Sequence, residues 1–197
     1  MFSSKAQLDK KTGEYGVGRF SYLQSLVTEY QDTDSDESKQ QVLANLANFA
    51  YDPINYEHFK ILNIVDLFLD VLDEPDQKLV EYAIGGLCNC CLDKTIKQQI
   101  IQNDGVKLVI GCLSRPNEET VLSAITTLMF LTTPESKGEI SSLPVVECMV
   151  RFSEANNKRL SNLADVFLQD YCPAHQVEEV KKMRCQSSAP RQSNEGT

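Results

Sequence analysis

A step of 41 residues constrains this chain more than any other feature. It separates Leu46 from Leu87 and Leu87 from Leu128, and it separates Leu43, Ile84 and Ile125 in the same way. Pro75 and Pro116 keep it too. The segments around these residues, QQVLANLANFAYDP from Gln40, VEYAIGGLCNCCLD from Val80 and LSAITTLMFLTTPE from Leu122, align without gaps. A step of 39 then leads to Phe167 in LSNLADVFLQDY. A second motif repeats in phase: VDLFLDVL from Val65, VKLVIGCL from Val106 and VVECMVRF from Val145. Self-similarity near 40 residues marks an array of helical units that bury their apolar faces on one another.

Each unit reads as helix. Val42, Leu43, Leu46, Phe49 and Ala50 follow the i, i+3, i+4, i+7 spacing of one apolar face. The periodicity predicts long helices over Glu37–Ala50, Gln77–Cys91, Glu118–Leu131 and Arg159–Tyr171, after a first helix at Arg19–Tyr30. Shorter ones are predicted at Ile54–Leu62, Lys94–Gln102 and Ser136–Ile140, and others at Ile64–Leu72, Val106–Leu113 and Pro144–Ala155. A last helix starts after Pro173 and ends near Met183. Asp76 and Asn117 follow the two prolines and are placed to cap helices, while Asp104-Gly105 suits a tight turn. No alternating run demands a strand. The predicted organisation is a flexible segment at 1–18, a solenoid at 19–184 and a disordered tail at 185–197. With about three or four units the array is near the minimum for stability, so the units are expected to fold together.

Composition narrows the function. The formal net charge is −9, which disfavours tight gripping of a phosphate backbone by the whole surface. The first residues include Lys5, Asp9, Lys10, Lys11 and Glu14 without an apolar core, so no secretory signal is expected. No apolar run of about 18 residues occurs, so a soluble, intracellular chain is expected. Its seven cysteines are then expected to be reduced.

The wording of the units resembles the armadillo repeat. LANLANFA from Leu43 and AIGGLCNC from Ala83 match the third helix of that family, including Asn48 and Asn89. DGVKLVIGCL from Asp104 matches its second helix. The third unit has Phe130 where the others have Asn, and the fourth is weaker. The resemblance covers about Ser21 to Asp170 and implies an all-α, right-handed armadillo-type solenoid. Within the family, VLANLANFAYDP, AIGGLCN and PNEETVLSAITTLM are similar to a small nuclear member. That likeness implies a scaffold in the minor-intron spliceosome, paired with an RNA-recognition-motif protein and with small nuclear ribonucleoprotein components around it. It implies a nuclear location as well.

The family register implies that the third helices line a binding face. The candidate partner-binding residues are Asn45, Asn48, Tyr51, Asp52, Tyr82, Asn89, Asp93, Thr127 and Phe130. An amide offers both donor and acceptor to an extended backbone. In import receptors of this fold a Trp precedes each such Asn by one turn. Here those places hold Ala44 and Gly85, and the chain has no Trp, which disfavours an import receptor. Tyr51, Tyr56 and Tyr82 are candidate interface anchors, although Tyr51 and Tyr56 can equally pack on the next unit.

The residues that suggest sharper chemistry also have simpler readings. Cys88, Cys90 and Cys91 lie within one helix and point to different faces, which suits core packing better than a metal site. His58 and His175 have no nucleophile or acid at a spacing that makes a triad, so no enzyme activity, cofactor or metal is expected. Gly85-Gly86 points either to a close helix contact or to a ligand's backbone. The acidic loop from Asp32 to Glu37 is either a solvated linker or a contact for a basic partner, and Lys181, Lys182, Arg184 and Arg191 could touch RNA. A peptide-binding adaptor outside RNA metabolism is the second reading.

Overall fold

A computed structural model describes residues 2–12 and 16–187. The described residues hold helices and turns and no strand. Contacts divide the chain into two compact units, residues 1–136 and residues 137–197.

The first unit contains α1 (Lys5–Thr12), α2 (Arg19–Asp32), α3 (Asp36–Phe49), a 3-10 turn (Pro53–Asn55), α4 (Tyr56–Ile61), α5 (Ile64–Val71), α6 (Gln77–Cys90), α7 (Lys94–Gln102), α8 (Gly105–Cys112) and α9 (Glu118–Leu131). The 41-residue step becomes packing. α3 lies on α6 and α6 on α9, while α2, α5 and α8 back them in turn. Leu43, Leu46, Ile84, Leu87, Ile125 and Leu128 have no exposed surface, so the repeated leucines and isoleucines are the core of the stack. Burying one such side chain stabilises the fold by roughly 1.5–3 kcal/mol.

Start signals recur with the repeat. Ser35 Oγ accepts from the Ser38 N–H at 3.2 Å. Asp76 Oδ1 accepts from Lys78 and Leu79 at 2.8 and 3.2 Å, and Asn117 Oδ1 from Glu119 and Thr120 at 2.9 and 3.4 Å. These caps satisfy donors that a helix start leaves without partners. Asn63 and Asp104, one repeat apart, both take the left-handed conformation, with φ of 52° and 55°. Asn and Asp tolerate it better than most residues. A Cβ on the following Gly105 would stand 2.7 Å from the Ile100 carbonyl oxygen, so the chain turns there only without a side chain.

α1 is a difference from the sequence reading, which places no helix in residues 1–18. It starts with a capping box: Ser4 N–H donates to Gln7 Oε1 at 2.8 Å, and Gln7 N–H to Ser4 Oγ at 3.3 Å. Eight residues of low apolar content hide this start from any periodicity test.

The second unit contains α10 (Lys137–Ile140), α11 (Leu143–Ser153), α12 (Lys158–Tyr171) and α13 (Ala174–Ser187). α11 packs on α12 and α13 on α11, around Val146, Met149, Ala164, Phe167 and Val180. Asn157 Oδ1 caps α12, accepting from the Arg159 N–H at 2.9 Å. Arg184 Nη2 donates to Glu154 Oε2 at 2.8 Å and ties α13 to the end of α11. The last helix runs past Met183 to Ser187. The rest of the expected tail, Arg191 included, lies outside the described residues, as do Gly13, Glu14 and Tyr15 of the expected N-terminal segment.

Candidate partner-binding groove on the third helices

α3, α6 and α9 enclose an open cleft of about 270 Å³. One stripe of α6, Glu81, Gly85 and Asn89, runs along it at intervals of four, with Tyr82 beside it. Ala44 and Asn48 face it from α3, Glu119 and Ser123 from α9. The residues at the former aromatic places, Ala44 and Gly85, leave the floor small. A Cβ added at Gly85 would meet nothing within 4 Å. The cleft therefore offers an exposed amide at Asn48, two carboxylates and one phenol ring.

Gly86 behaves otherwise. A Cβ there would lie 2.6 Å from the Phe68 ring. Phe68 is fully buried and packs edge-on against Phe59 at 6.2 Å. The adjacent glycines have separate causes: Gly86 admits an aromatic ring from α5, and Gly85 opens the cleft.

Of the nine sequence candidates, Asn48, Tyr82 and Asn89 meet in this cleft. Asn89 also holds the stack, because its Nδ2 donates to the Ala47 carbonyl on α3 at 3.2 Å. Asn45 accepts from Gln41 Nε2 at 3.4 Å along its own helix. Asp93 caps α7, accepting from Thr95 and Ile96 at 3.0 Å each. Thr127 corrects the expectation: it has no exposed surface, and its hydroxyl donates to the Ser123 carbonyl at 2.7 Å. Phe130, in the register place of Asn48 and Asn89, is half-buried and outside the cleft lining.

Tyr51 and Asp52 form a separate corner just past the end of α3. Tyr51 is 58% exposed. Asp52 Oδ1 accepts from the Ile54 N–H at 3.4 Å and caps the 3-10 turn. Burial raises the Asp52 pKa, but hydrogen bonds from Ser3 and Ile54 and the nearby Arg19 charge outweigh it, so the carboxyl titrates below its usual range. Tyr56 joins repeats: its hydroxyl donates to the Asn89 carbonyl at 3.1 Å. Burial, with smaller contributions from neighbours such as Cys90 and Asp93, pushes this phenol up to about 12.

Sequence reasoning missed Glu81 and Glu119. Stepping back along the helix by four residues from Asn89 through Gly85 reaches Glu81, so that signal was available. Glu81 belongs to a repeated pair of hydrogen bonds: Gln40 Nε2 donates to Asp76 Oδ2 at 2.7 Å, and Asn117 Nδ2 donates to Glu81 Oε2 at 2.7 Å. The hydrogen bond from Gln40, followed by those from the Leu79 and Lys78 amides, holds the Asp76 carboxyl below its usual range against a desolvation that raises it. Cys90 and Cys91 are buried in α6 and at its end, and burial raises both thiols, Cys91 to about 12. His58 stacks edge-on with Phe20 at 5.6 Å, and His175 is exposed.

Helices in this order, with capped third helices side by side, define an armadillo-type array. No protein-family model matches the chain. Among solved structures, computationally designed armadillo repeat proteins for modular peptide recognition share the fold. One such match has a TM-score of 0.67 at 16% identity, covering 75% of this chain and 63% of that one. A designed armadillo repeat protein in complex with the peptide (KR)4 gives a TM-score of 0.68 at 16% identity, over 89% of this chain and 77% of that one. The chain belongs to the family of armadillo repeat-containing protein 7: it is 55% identical to the Mus musculus protein over 174 residues, 87% of this chain and 88% of that relative.

Proposed function

We propose that this chain is a non-catalytic protein-binding scaffold, and that it works in the nucleus in pre-mRNA splicing as a component of the minor-intron spliceosome. Its partner on this reading is an RNA-recognition-motif protein, with small nuclear ribonucleoprotein components around the pair. The solenoid at residues 19–184 is the part assigned to this role. The observation that carries the scaffold reading is the cleft on α3, α6 and α9. It presents amide, carboxylate and phenol groups on a rigid ladder of capped helices, which suits recognition of a polypeptide. The splicing assignment rests on the resemblance of VLANLANFAYDP, AIGGLCN and PNEETVLSAITTLM to the nuclear member of the family. A net charge of −9 favours reaching RNA through the partner over gripping it directly.

The test is capture of the tagged full chain from nuclear extract, followed by mass spectrometry of its partners. Recovery of an RNA-recognition-motif protein with minor-spliceosome components is expected. Their absence would overturn the splicing assignment.

A second reading, a peptide-binding adaptor outside RNA metabolism, is favoured by Glu81 and Glu119 in the cleft. A designed protein of the same fold is in complex with (KR)4. Micromolar binding of that peptide by the purified chain, lost in Glu81→Lys, supports this reading. No binding below millimolar peptide removes it.

A further inference from the structure

The first residues of the chain are seated on the Tyr51–Asp52 corner. The Phe2 and Tyr51 rings lie 5.5 Å apart at 48°. Ser3 N–H donates to Asp52 Oδ2 at 3.0 Å, across 49 residues of sequence. Ser4 then caps α1 through its reciprocal pair with Gln7, so the segment leaves the corner in a defined direction. The contact is built from one ring pair and from Ser3, whose N–H and side chain both bond the Asp52 carboxylate, and Phe2 and Tyr51 are both 58% exposed. Such a contact holds a tethered segment but is weak enough to exchange. Asp52 keeps its other oxygen on Ile54, so the 3-10 turn retains its cap when Ser3 departs.

We infer that Phe2–Ser4 is a displaceable strap, and that Tyr51 and Asp52 form a docking point for an aromatic side chain followed by a backbone N–H, occupied by the chain's own N-terminal segment. The strap shows the chemistry that the corner accepts: a ring against the Tyr51 phenol and an amide N–H on the Asp52 carboxylate. Arg19 stands over the Phe49 ring at 4.5 Å, and its charge adds to the hydrogen bonds from Ser3 and Ile54 that favour the ionised Asp52 carboxylate. The corner lies beyond the last turn of the helix that carries Asn48, so the strap limits access to the end of α3 without filling the cleft.

The chain has no Trp, so Phe2→Trp in the full-length protein gives a unique reporter. Its emission is expected to be blue-shifted and partly shielded from acrylamide. Ser3→Pro removes both Ser3 donors, the N–H and the hydroxyl, and leaves Asp52 intact; it should shift the emission to the red and raise quenching, with the circular dichroism unchanged. Tyr51→Ala should do the same. A synthetic peptide copying residues 2–12 should release the reporter once it exceeds the roughly millimolar effective concentration of a tethered segment. An emission matching free N-acetyltryptophanamide in the Phe2→Trp chain overturns the strap. So does an emission insensitive to both Ser3→Pro and Tyr51→Ala. A reporter that the peptide cannot displace overturns its displaceability. None of these readouts involves a partner, so failure here is separate from failure of the scaffold reading.

Discussion

Asn117 Nδ2 donates to Glu81 Oε2 at 2.7 Å, and one repeat earlier Gln40 Nε2 donates to Asp76 Oδ2 at the same distance. Positions 40 and 81 are equivalent, as are 76 and 117, so the same bond is made with amide and carboxylate exchanged. Each junction joins one acid to one amide. An acid at both places would put two carboxylates together.

This exchange predicts a double-mutant cycle. Gln40→Glu should lower stability by about 1 kcal/mol, because it replaces a charge-assisted hydrogen bond at a half-exposed site with like charges. Adding Asp76→Asn recreates the Glu81–Asn117 chemistry and should restore most of the loss. Urea unfolding of the two singles and the double measures the coupling. Additive effects would show that the pair does not couple the repeats.

The depressed Asp76 pKa gives a pH dependence with a definite sign. A carboxyl that titrates lower in the folded state than in the unfolded one contributes stability above the unfolded value and loses it as pH falls through the folded one. Asp76→Asn should therefore flatten the acid limb of stability and leave the difference between variant and parent smallest at the lowest pH. Urea midpoints from pH 7 down to 3 read it.

The two adjacent glycines should respond in opposite ways. Gly86→Ala forces a methyl group to within 2.6 Å of the Phe68 ring in a closed core. Overpacking of this kind costs typically about 1–3 kcal/mol, enough to outweigh the helix gain of about 1 kcal/mol. Gly85→Ala meets open space and should stabilise by about 0.5–1 kcal/mol. Thermal melts of the two variants decide, and equal shifts would remove the packing explanation.

Reversing charge in the cleft should weaken binding of cationic ligands, while Glu81→Lys also gives up the hydrogen bond from Asn117 and with it some stability. Glu81→Lys with Glu119→Lys is expected to weaken any binding of (KR)4 by about tenfold at moderate salt, given exposed pairs worth up to about 1 kcal/mol each. Fluorescence anisotropy of a labelled peptide at two ionic strengths measures this. Affinity that ignores both charge reversal and salt would place the peptide elsewhere.

The α6 cysteines should be chemically quiet. Burial disfavours the thiolate at Cys90 and Cys91, and the thiolate is the nucleophile. Iodoacetamide at pH 8 should leave both unmodified in the native chain and label them in urea, as peptide mass spectrometry will show. Rapid native labelling would contradict their burial.

Much of the fold was legible because its signals are local. The 41-residue step named the buried leucines, and Asp76 and Asn117 stood where helix caps must stand. The caps and the apolar spacing act within a turn or two, and the 41-residue step is the recurrence of those local patterns along the chain. The Asn48, Tyr82 and Asn89 part of the cleft followed from the same register. Thr127 stands 41 residues after Gly86, which is buried too, so its place is on the inner side of the helix and not at that of Asn48 and Asn89.

The sequence by itself determined the helices of the repeats and the core stripe, since propensity, capping and apolar spacing act over a few residues, whereas α1 escaped it. Only the tertiary structure decided what the exceptions do. Gly86 needed the Phe68 ring, Tyr56 needed the Asn89 carbonyl, and Asp52 needed the Ser3 amide. Each partner comes from a distant segment. A residue's role there is set by which surfaces meet on folding, and no local pattern records that.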